Sequence, residues 1–335
     1  MNTNKHGFKN ILLKHETILF FVLVAEWIFF DSIGRNFGTY DNSCDILRHS
    51  CEIGLLALAM TPIIVTGGID LSVGSLLGLC AILFGKFWRD AHMPIPLAAV
   101  CTIGVGALAG GLNAGLITWL RLPPLIVTLG TYSLFRGLAE AITRGVDTFT
   151  DFPASFLFLG QERWLGIPAQ APIFLVAVIF FWLLLHRTTF GRSFRAIGFA
   201  PEGARFAGIP VERRIAMTYV LAGIVSAIAA IIYTARLGQA KADAGTGYEL
   251  FAITAVVLGG TSIFGGTGSI HGTLLGVAAI AVLHSGIVHA LKPSEMAGML
   301  TGVLLILALT ASVLPKMISS LRGRKSAPKL AKQNA

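Results

Sequence analysis

A polar stretch interrupts an otherwise hydrophobic chain at Thr66–Ser75, which reads TGGIDLSVGS. Its paired glycines, Gly67 and Gly68, can adopt backbone angles that other residues avoid. The side chains of Asp70 and Ser72 can accept hydrogen bonds from the free N–H groups at the start of a helix. The stretch therefore predicts a helix break followed by a capped restart. Inside a membrane such a break must face protein or a watery cavity, so these four residues are candidates for lining a path.

Three interpretations of Asp70 are open from the sequence. The carboxylate can cap the restarting helix without touching any ligand. It can instead line a path and accept hydrogen bonds from a polyhydroxylated molecule. It can also act as an ion-coupling group, since ionisable residues inside membranes often mark ion pathways.

A second Gly-rich stretch resembles the first. Residues 257–272 read VLGGTSIFGGTGSIHG and repeat the pattern of residues 65–78, VTGGIDLSVGSLLG: paired glycines, a polar residue, and Gly-Ser entering a helix. Glycine-interrupted spans in the two halves of a membrane chain are typical of a central pathway, here as a parallel repeat. The second set of candidate path residues is Gly259, Gly260, Thr261 and Ser262.

The sequence offers no catalytic chemistry. It contains no nucleophile with a matching base, no phosphate-binding G-x-x-x-x-G-K-[ST] motif and no metal-ligand spacing. The four cysteines lie at Cys44, Cys51, Cys80 and Cys101, without the spacing of a metal site or a disulfide framework. We predict no catalytic residue, no metal and no cofactor in this chain.

The elements that position these residues are hydrophobic helices. Of 335 residues, 54% are hydrophobic and only 13% are charged, a composition that indicates an integral membrane protein in a lipid bilayer. The prediction is an all-α helical bundle of about ten transmembrane helices, two of them interrupted by the Gly-rich stretches, within a single transmembrane domain at 16–314. The spans are predicted near 16–33, 46–65, 74–88, 94–119, 123–142, 171–186, 215–235, 249–259, 270–289 and 296–314.

The basic residues predict the orientation. They gather in the loop 187–214 and in the C-terminal tail 315–335, and Lys/Arg-rich connections stay in the cytoplasm. With ten spans, the N-terminal segment 1–15 and both of these regions fall on the cytoplasmic side. Segments 34–45, 144–170 and 236–248 then face outward. The net charge of +9 is therefore explained by the basic residues of the predicted cytoplasmic segments, and no nucleic-acid partner is predicted.

Two local patterns predict packing. Residues 104–115 read GVGALAGGLNAG, and small residues of this kind let membrane helices approach closely. Arg136 and Glu140 are four residues apart on one predicted helix, where opposite charges can pair.

Four separated motifs resemble one family. TGGIDLSVGS, LPPLIVTLGTYSLFRGLA at 122–139, FGRSFRAIGFAPEGARFAGIPVER at 190–213 and DAGTGYELFAITAVVLGGTSIFGGTGSIHGTLLG at 243–276 resemble the permease subunits of bacterial ABC importers for monosaccharides. The resemblance covers roughly residues 45–312. It is strongest to the branch that serves rhamnose or the sugar-like signal autoinducer-2, within the ribose/arabinose/galactose/xylose/rhamnose family.

The resemblance implies partners that the residues alone do not reveal. Such importers combine a cytoplasmic ATPase, a periplasmic sugar-binding protein and two permeases, identical or related, in the bacterial inner membrane. It also implies that Arg195–Ile209 is the coupling helix that contacts the ATPase. The residues expected to carry this contact are Arg195, Gly198, Glu202, Ala204, Arg205, Gly208 and Ile209.

The chain departs from the family pattern in this segment. Members often carry a polar N-x-x-A-A-x-x-S-G-I run, whereas this chain has Ala200, Gly203 and Ala207 at the matching places. The resemblance therefore leaves the details of the ATPase contact open.

The function implied is ATP-driven import of a monosaccharide or sugar-like signal, with ATP hydrolysed by a partner chain. The alternative is an ion-coupled secondary sugar carrier that uses Asp70 or Glu26. The 195–209 segment and the scarcity of intramembrane carboxylates argue against that alternative. An intramembrane enzyme is a third class, against which the missing catalytic residues count.

Overall fold

The described part of the chain folds as a bundle of helices with a minimal β-hairpin. The computed structural model describes residues 15–34 and 36–290, together with 298–300, 302–304, 306–307 and 310. The α-helices of this part are α1 (His15–Ile33), α2 (Tyr40–Val65), α3 (Val73–Arg89), α4 (Ile95–Thr118), α5 (Pro124–Thr143), α6 (Ala154–Gln161), α7 (Ala171–Trp182), α8 (Thr189–Phe199), α9 (Pro201–Phe206), α10 (Val211–Leu237), α11 (Tyr248–Leu258) and α12 (Ile270–His289). A π-helical turn, Leu183–Arg187, extends α7, and strands β1 (Arg163–Trp164) and β2 (Ile167–Pro168) pair antiparallel.

The helices fit a multi-pass membrane protein. Within the described residues, 5 helices are long and apolar enough to cross a bilayer: α2, α4, α5, α10 and α12. The number rises to 6 if α7 and α8, which meet at 66°, form one bent span. The predicted span 296–314 lies mostly outside the described residues, as do segments 1–15 and 315–335 almost entirely. A count of ten spans, and the interruption of a span by each Gly-rich stretch, stay predictions.

Helix α2 lies at the centre of the bundle. Its most apolar window is 83% buried, against 28% for α4 and for α5. It packs against α7, α10, α11 and α12, and these partners cover its apolar second half on all sides. Because α4 and α5 leave most of their surface uncovered, they form the apolar exterior of the protomer.

Glycines let α4 and α10 cross closely, as the run at 104–115 predicted. A Cβ atom on Gly106 would overlap the carbonyl oxygen of Gly223, and one on Gly223 would overlap that of Gly106. Gly110 lies equally close to the backbone of Tyr219. Backbone-to-backbone contact of this kind replaces the hydrophobic driving force that lipid does not supply.

The predicted pair of Arg136 and Glu140 is wrong. Arg136 instead reaches over α3 and donates from both terminal nitrogens to the carbonyl oxygen of Ala244 at 3.1 Å, and from one of them to Ala242. In the described part of the chain it forms no ion pair with Glu140. The guanidinium has five donors, so it can hold several carbonyls of one loop at once.

The three segments predicted to face outward meet at one end of the molecule. The hydroxyl of Tyr40 donates to the carbonyl oxygen of Gly166 at 2.6 Å. Phe149 and Ala240 exchange two backbone hydrogen bonds at 2.8 and 3.1 Å. Segments 34–45, 144–170 and 236–248 therefore share one end, as the predicted topology requires.

Candidate functional site

The first Gly-rich stretch ends α2 with a Schellman motif. The N–H of Gly67 donates to the carbonyl of Ile64 at 2.9 Å, and that of Gly68 to the carbonyl of Ile63 at 3.0 Å. Gly67 has a φ of +88°, which the motif requires and which a glycine adopts without strain. The chain thus leaves the helix sharply, with the last carbonyls satisfied.

The second Gly-rich stretch ends α11 in the same way. The N–H of Gly260, whose φ is +87°, donates to Val257 at 2.9 Å, and that of Thr261 to Val256 at 3.2 Å. The two breaks therefore share one conformation. Their register differs by one residue from the sequence pattern, because Gly67 matches Gly260 and not Gly259.

Asp70 holds the connection between α2 and α3 together. One of its carboxylate oxygens accepts hydrogen bonds from the backbone N–H of Ser72 at 2.8 Å and from the Ser72 hydroxyl at 2.6 Å. Asn113 of α4 donates to that hydroxyl at 2.9 Å. Asp70 is only 2% exposed and Ser72 is fully buried. In this structure the carboxylate organises backbone and does not face an open path.

The two breaks touch each other and the basic loop. The N–H of Gly266, in the second stretch, donates to the carbonyl oxygen of Val65 at the end of α2, at 2.9 Å. Gly198 of α8 lies against both, since a Cβ atom there would overlap the Val65 oxygen and the Gly266 nitrogen. A Cβ atom on Gly265 would lie 2.9 Å from the Gly198 Cα atom and 3.0 Å from the Gly67 nitrogen.

We call this contact the glycine junction; it consists of residues 65–67, Gly198 and residues 265–266. Its members meet backbone to backbone, with no side chain between them. A single methyl group at Gly198 would force the three segments apart, because packed interiors transmit strain and do not absorb it.

Side chains reinforce the junction from the same loop. Arg195 approaches the carbonyl oxygen of Gly268 at 3.5 Å and the Nδ1 atom of His186 at 3.4 Å. The other ring nitrogen of His186 accepts from the N–H of Ile270, at the start of α12, at 3.2 Å. The loop and the second break are therefore joined by polar contacts as well as by glycine packing.

The outer face of the 195–209 segment carries both exposed aromatic side chains and charged side chains. Phe199 is 87% exposed and Phe206 92% exposed, which is unusual for large aromatic side chains next to a packed core. Between them, Arg205 donates to Glu202 at 2.5 Å and to Glu212 at 2.6 Å. These hydrogen bonds, that to Glu212 first, raise the pKa of Arg205, so its charge is fixed.

The inner face of the segment anchors it to the bundle. Ile197 is fully buried and Ala204 is 4% exposed; together with Val211 they form a small hydrophobic cluster. Gly208, with a φ of +78°, ends α9 with a third Schellman motif, in which the N–H of Ile209 donates to Ala204 at 3.0 Å. The segment thus has one side that packs and one side that is free.

The structure divides the sequence-predicted residues into groups. Gly67 and Gly198 belong to the glycine junction, whereas Glu202, Arg205 and Gly208 are exposed. The other predicted residues lie apart from the junction contact: Gly68, Asp70 and Ser72 in the first connection, Gly259, Gly260, Thr261 and Ser262 in the second, Arg195 beside it, and Ala204 and Ile209 under the outer face.

Sequence reasoning missed Val65, Gly265, Gly266 and His186. Only the second glycine pair, GG at 265–266, carried a signal that could have indicated them. Among the described residues, no cluster of three or more His, Cys, Asp or Glu side chains is arranged to hold a metal ion.

Comparison with known proteins identifies the family. Residues 42–309 match the family described as branched-chain amino acid transport system / permease component. The chain belongs to this permease family. It is the membrane component of an ABC importer, a transport subunit whose sequence contains no ATPase domain.

Two named relatives of this permease come from Yersinia pseudotuberculosis and Escherichia coli. The autoinducer 2 import system permease protein LsrD of Yersinia pseudotuberculosis is 42% identical over 260 residues, which cover 76% of this chain and 78% of the relative. The protein of the same name from Escherichia coli is 39% identical over 304 residues, or 87% of this chain and 89% of the relative. No solved structure matches the permease significantly.

Proposed function

We propose that this permease carries autoinducer-2 or a closely similar sugar-like molecule into the cell, as a subunit of an ATP-driven importer. The proposal of cargo follows the name shared by its relatives. The observation that carries the mechanism is the 195–209 segment, which is free on one face and in backbone contact with both Gly-rich breaks on the other.

The outer face of this segment fits a protein partner. Phe199 and Phe206 offer two exposed aromatic anchors, and the Arg205 cluster offers fixed charges around them. Aromatic residues and arginine are enriched where protein interfaces gain most of their binding energy. In the proposed importer the partner is the cytoplasmic ATPase, and Arg195–Ile209 is its coupling segment.

The inner face of the 195–209 segment is suited to transmit movement from the ATPase to the membrane helices. When the ATPase moves α8, Gly198 presses directly on the end of α2 and on the loop that leads into α12. No flexible side chain lies between these backbones to absorb the displacement. Small shifts at such a contact can be converted into helix movements, because packed elements move between discrete arrangements.

The proposed architecture retains ten spans with both termini in the cytoplasm. Helices α3 and α11 have 17 and 11 residues, about 26 and 17 Å of helix, which is short of a hydrocarbon core of about 30 Å. The adjoining Gly-rich segments, with Asp70 and Thr261 buried inside them, then supply the remaining depth. A second permease, identical or related, completes the path, and a periplasmic binding protein delivers the cargo.

Reconstitution tests this function directly. The permease, its partner permease and the ATPase are placed in proteoliposomes, with the binding protein and labelled autoinducer-2 on the side opposite the ATPase. We expect uptake that requires both ATP and the binding protein. Uptake that persists without the ATPase and collapses with an ionophore would contradict the proposal and support an ion-coupled carrier.

A further inference from the structure

A cavity that opens to the surface of the described bundle lies between α2, α11 and α12, away from the glycine junction, and His49 and His284 are exposed in it. Its volume is about 280 Å³. Polar side chains on three helices line it: Asn42, His49, Tyr248, His284, Ser285 and His289. This volume is just below the range of about 300 to 1,000 Å³ that is usual for sites of drug-sized ligands, so the cavity suits a smaller ligand.

The cavity and the junction are at opposite ends of the same helices. On α2, His49 lines the cavity and Val65 contacts the junction, sixteen residues or about 24 Å along the helix. On α12, His284 lines the cavity, whereas Ile270 begins the helix beside the second break. Two continuous helices therefore connect the cavity walls with the region of the glycine junction.

The charges near the cavity are already neutralised. Asp45 at its rim accepts from Arg48 at 3.2 Å. Arg236 contacts the His49 ring at 3.2 Å, but its charge is paired with the fully buried Glu52 at 2.7 Å. An ionic ligand would find no unpaired counter-charge among these groups, and burying an unpaired charge is costly.

The remaining polar groups suit hydroxyl groups. Imidazole, amide and hydroxyl side chains can all donate and accept hydrogen bonds. The Ser285 hydroxyl donates to Asn42 Oδ1 at 2.8 Å, and His289 Nδ1 lies 3.4 Å from its oxygen, which leaves one acceptor lone pair for a ligand. His284 makes no hydrogen bond to any other described residue. The apolar side chains of Phe251 and Ile280 line the same cavity and can cover the C–H face of a ring.

We propose that this cavity binds a small neutral molecule with several hydroxyl groups while it passes through the permease. This inference rests on the proposed function, because autoinducer-2 is sugar-like and two of the wall helices, α2 and α12, lead to the glycine junction. It assigns the cargo contact to α2, α11 and α12 and not to Asp70.

Thiol protection tests whether the cargo enters the cavity. The His284→Cys permease is reconstituted with its partners and treated with a small thiol reagent, with the wild-type permease as control for the native cysteines. At autoinducer-2 concentrations about ten times the dissociation constant of autoinducer-2 from the permease complex, we expect labelling of the new thiol to slow about tenfold. An unchanged labelling rate, in a complex that still imports autoinducer-2, would overturn the inference.

A filling substitution tests whether the cavity is required. Ala281→Phe places a ring in the cavity wall, and Leu250→Phe adds the same ring at a 51% exposed position on α11. We expect import to fall to background with Ala281→Phe and to continue with Leu250→Phe. Equal import by both variants would overturn the inference, whereas absence of import by the wild-type complex would contradict the proposed function itself.

Discussion

Asp70 shows how one residue type supports opposite functional interpretations. Its carboxylate accepts two hydrogen bonds from Ser72, and the residue is buried and does not line the cavity. Of the three interpretations that the sequence left open, this geometry is nearest to the structural one, although the carboxylate binds Ser72, the residue before α3, and α3 itself begins without a side-chain cap hydrogen bond. An ion-coupling group must change protonation, whereas a cap needs only an acceptor oxygen.

An amide substitution separates these roles. Asp70→Asn keeps an acceptor oxygen facing Ser72, so we expect ATP-driven import close to that of the wild type. Asp70→Ala removes the acceptor and leaves buried donors unsatisfied, at a cost of about 1 to 3 kcal/mol. We expect a lower melting temperature in detergent for the alanine variant alone. Loss of import in Asp70→Asn, with an unchanged melting temperature, would support ion coupling instead.

Side-chain partners were the least predictable feature at this scale. The spacing of Arg136 and Glu140 predicted an ion pair, but Arg136 crosses α3 beside Gly78 to reach carbonyls more than a hundred residues away. Local spacing describes one helix only. The arrangement of α3, α5 and the 242–244 loop, which decides the partner, has no local signal.

The helices themselves followed from hydropathy and turn residues. The spans predicted at 94–119, 123–142 and 270–289 correspond to α4, α5 and α12 within one residue at each end. Helix α2 begins six residues before the predicted 46–65, because its first two turns are polar and Tyr40 at its start contacts segment 144–170. Apolar periodicity cannot mark such an extension.

The crossing of α4 and α10 depends on glycine at one face. Gly106→Leu would drive a side chain into the backbone of Gly223, whereas Gly104 on the same helix has nothing within 4 Å of its Cβ position. Overpacking typically costs about 1 to 3 kcal/mol, and backbone overlap leaves little room to relax. We expect Gly106→Leu to lower the melting temperature of the purified permease and Gly104→Leu to leave it unchanged. Equal melting temperatures would contradict the close crossing.

The outer face of the coupling segment is predicted to bind the ATPase, and a substitution there tests this. Phe206→Asp replaces an exposed aromatic anchor with a charge, so we expect the ATPase to be lost when the complex is purified through the permease. Leu165→Asp is the control: Leu165 is 87% exposed in the β1–β2 hairpin, and its φ of +52° suits aspartate. Retention of the ATPase by Phe206→Asp, at wild-type yield, would exclude this face as the docking site.

For the whole molecule, the structure joins regions that the sequence could only treat separately. The two Gly-rich stretches were predicted to be a parallel repeat, and the basic loop was predicted to contact the ATPase. No local sequence pattern indicates that residues 65, 198 and 266 touch. The cavity could not be predicted from the sequence either, because its walls come from three helices, α2, α11 and α12, that are not all neighbours in the chain. Such contacts arise only once all the helices are packed.

Coupling between ATP hydrolysis and import is the central claim, and Gly198 tests it most directly. Gly198→Val places a branched side chain inside the glycine junction, whereas Gly203→Ala, in the same segment, would meet only the Ala200 side chain at 3.5 Å. Both complexes are assembled in proteoliposomes, and ATP hydrolysed and autoinducer-2 imported are measured together. We expect Gly198→Val to lower the number of autoinducer-2 molecules imported per ATP hydrolysed by about tenfold or more. A fold-change of this size corresponds to a typical coupling free energy between two sites. Gly203→Ala should keep the wild-type ratio, and a wild-type ratio in Gly198→Val would contradict the account.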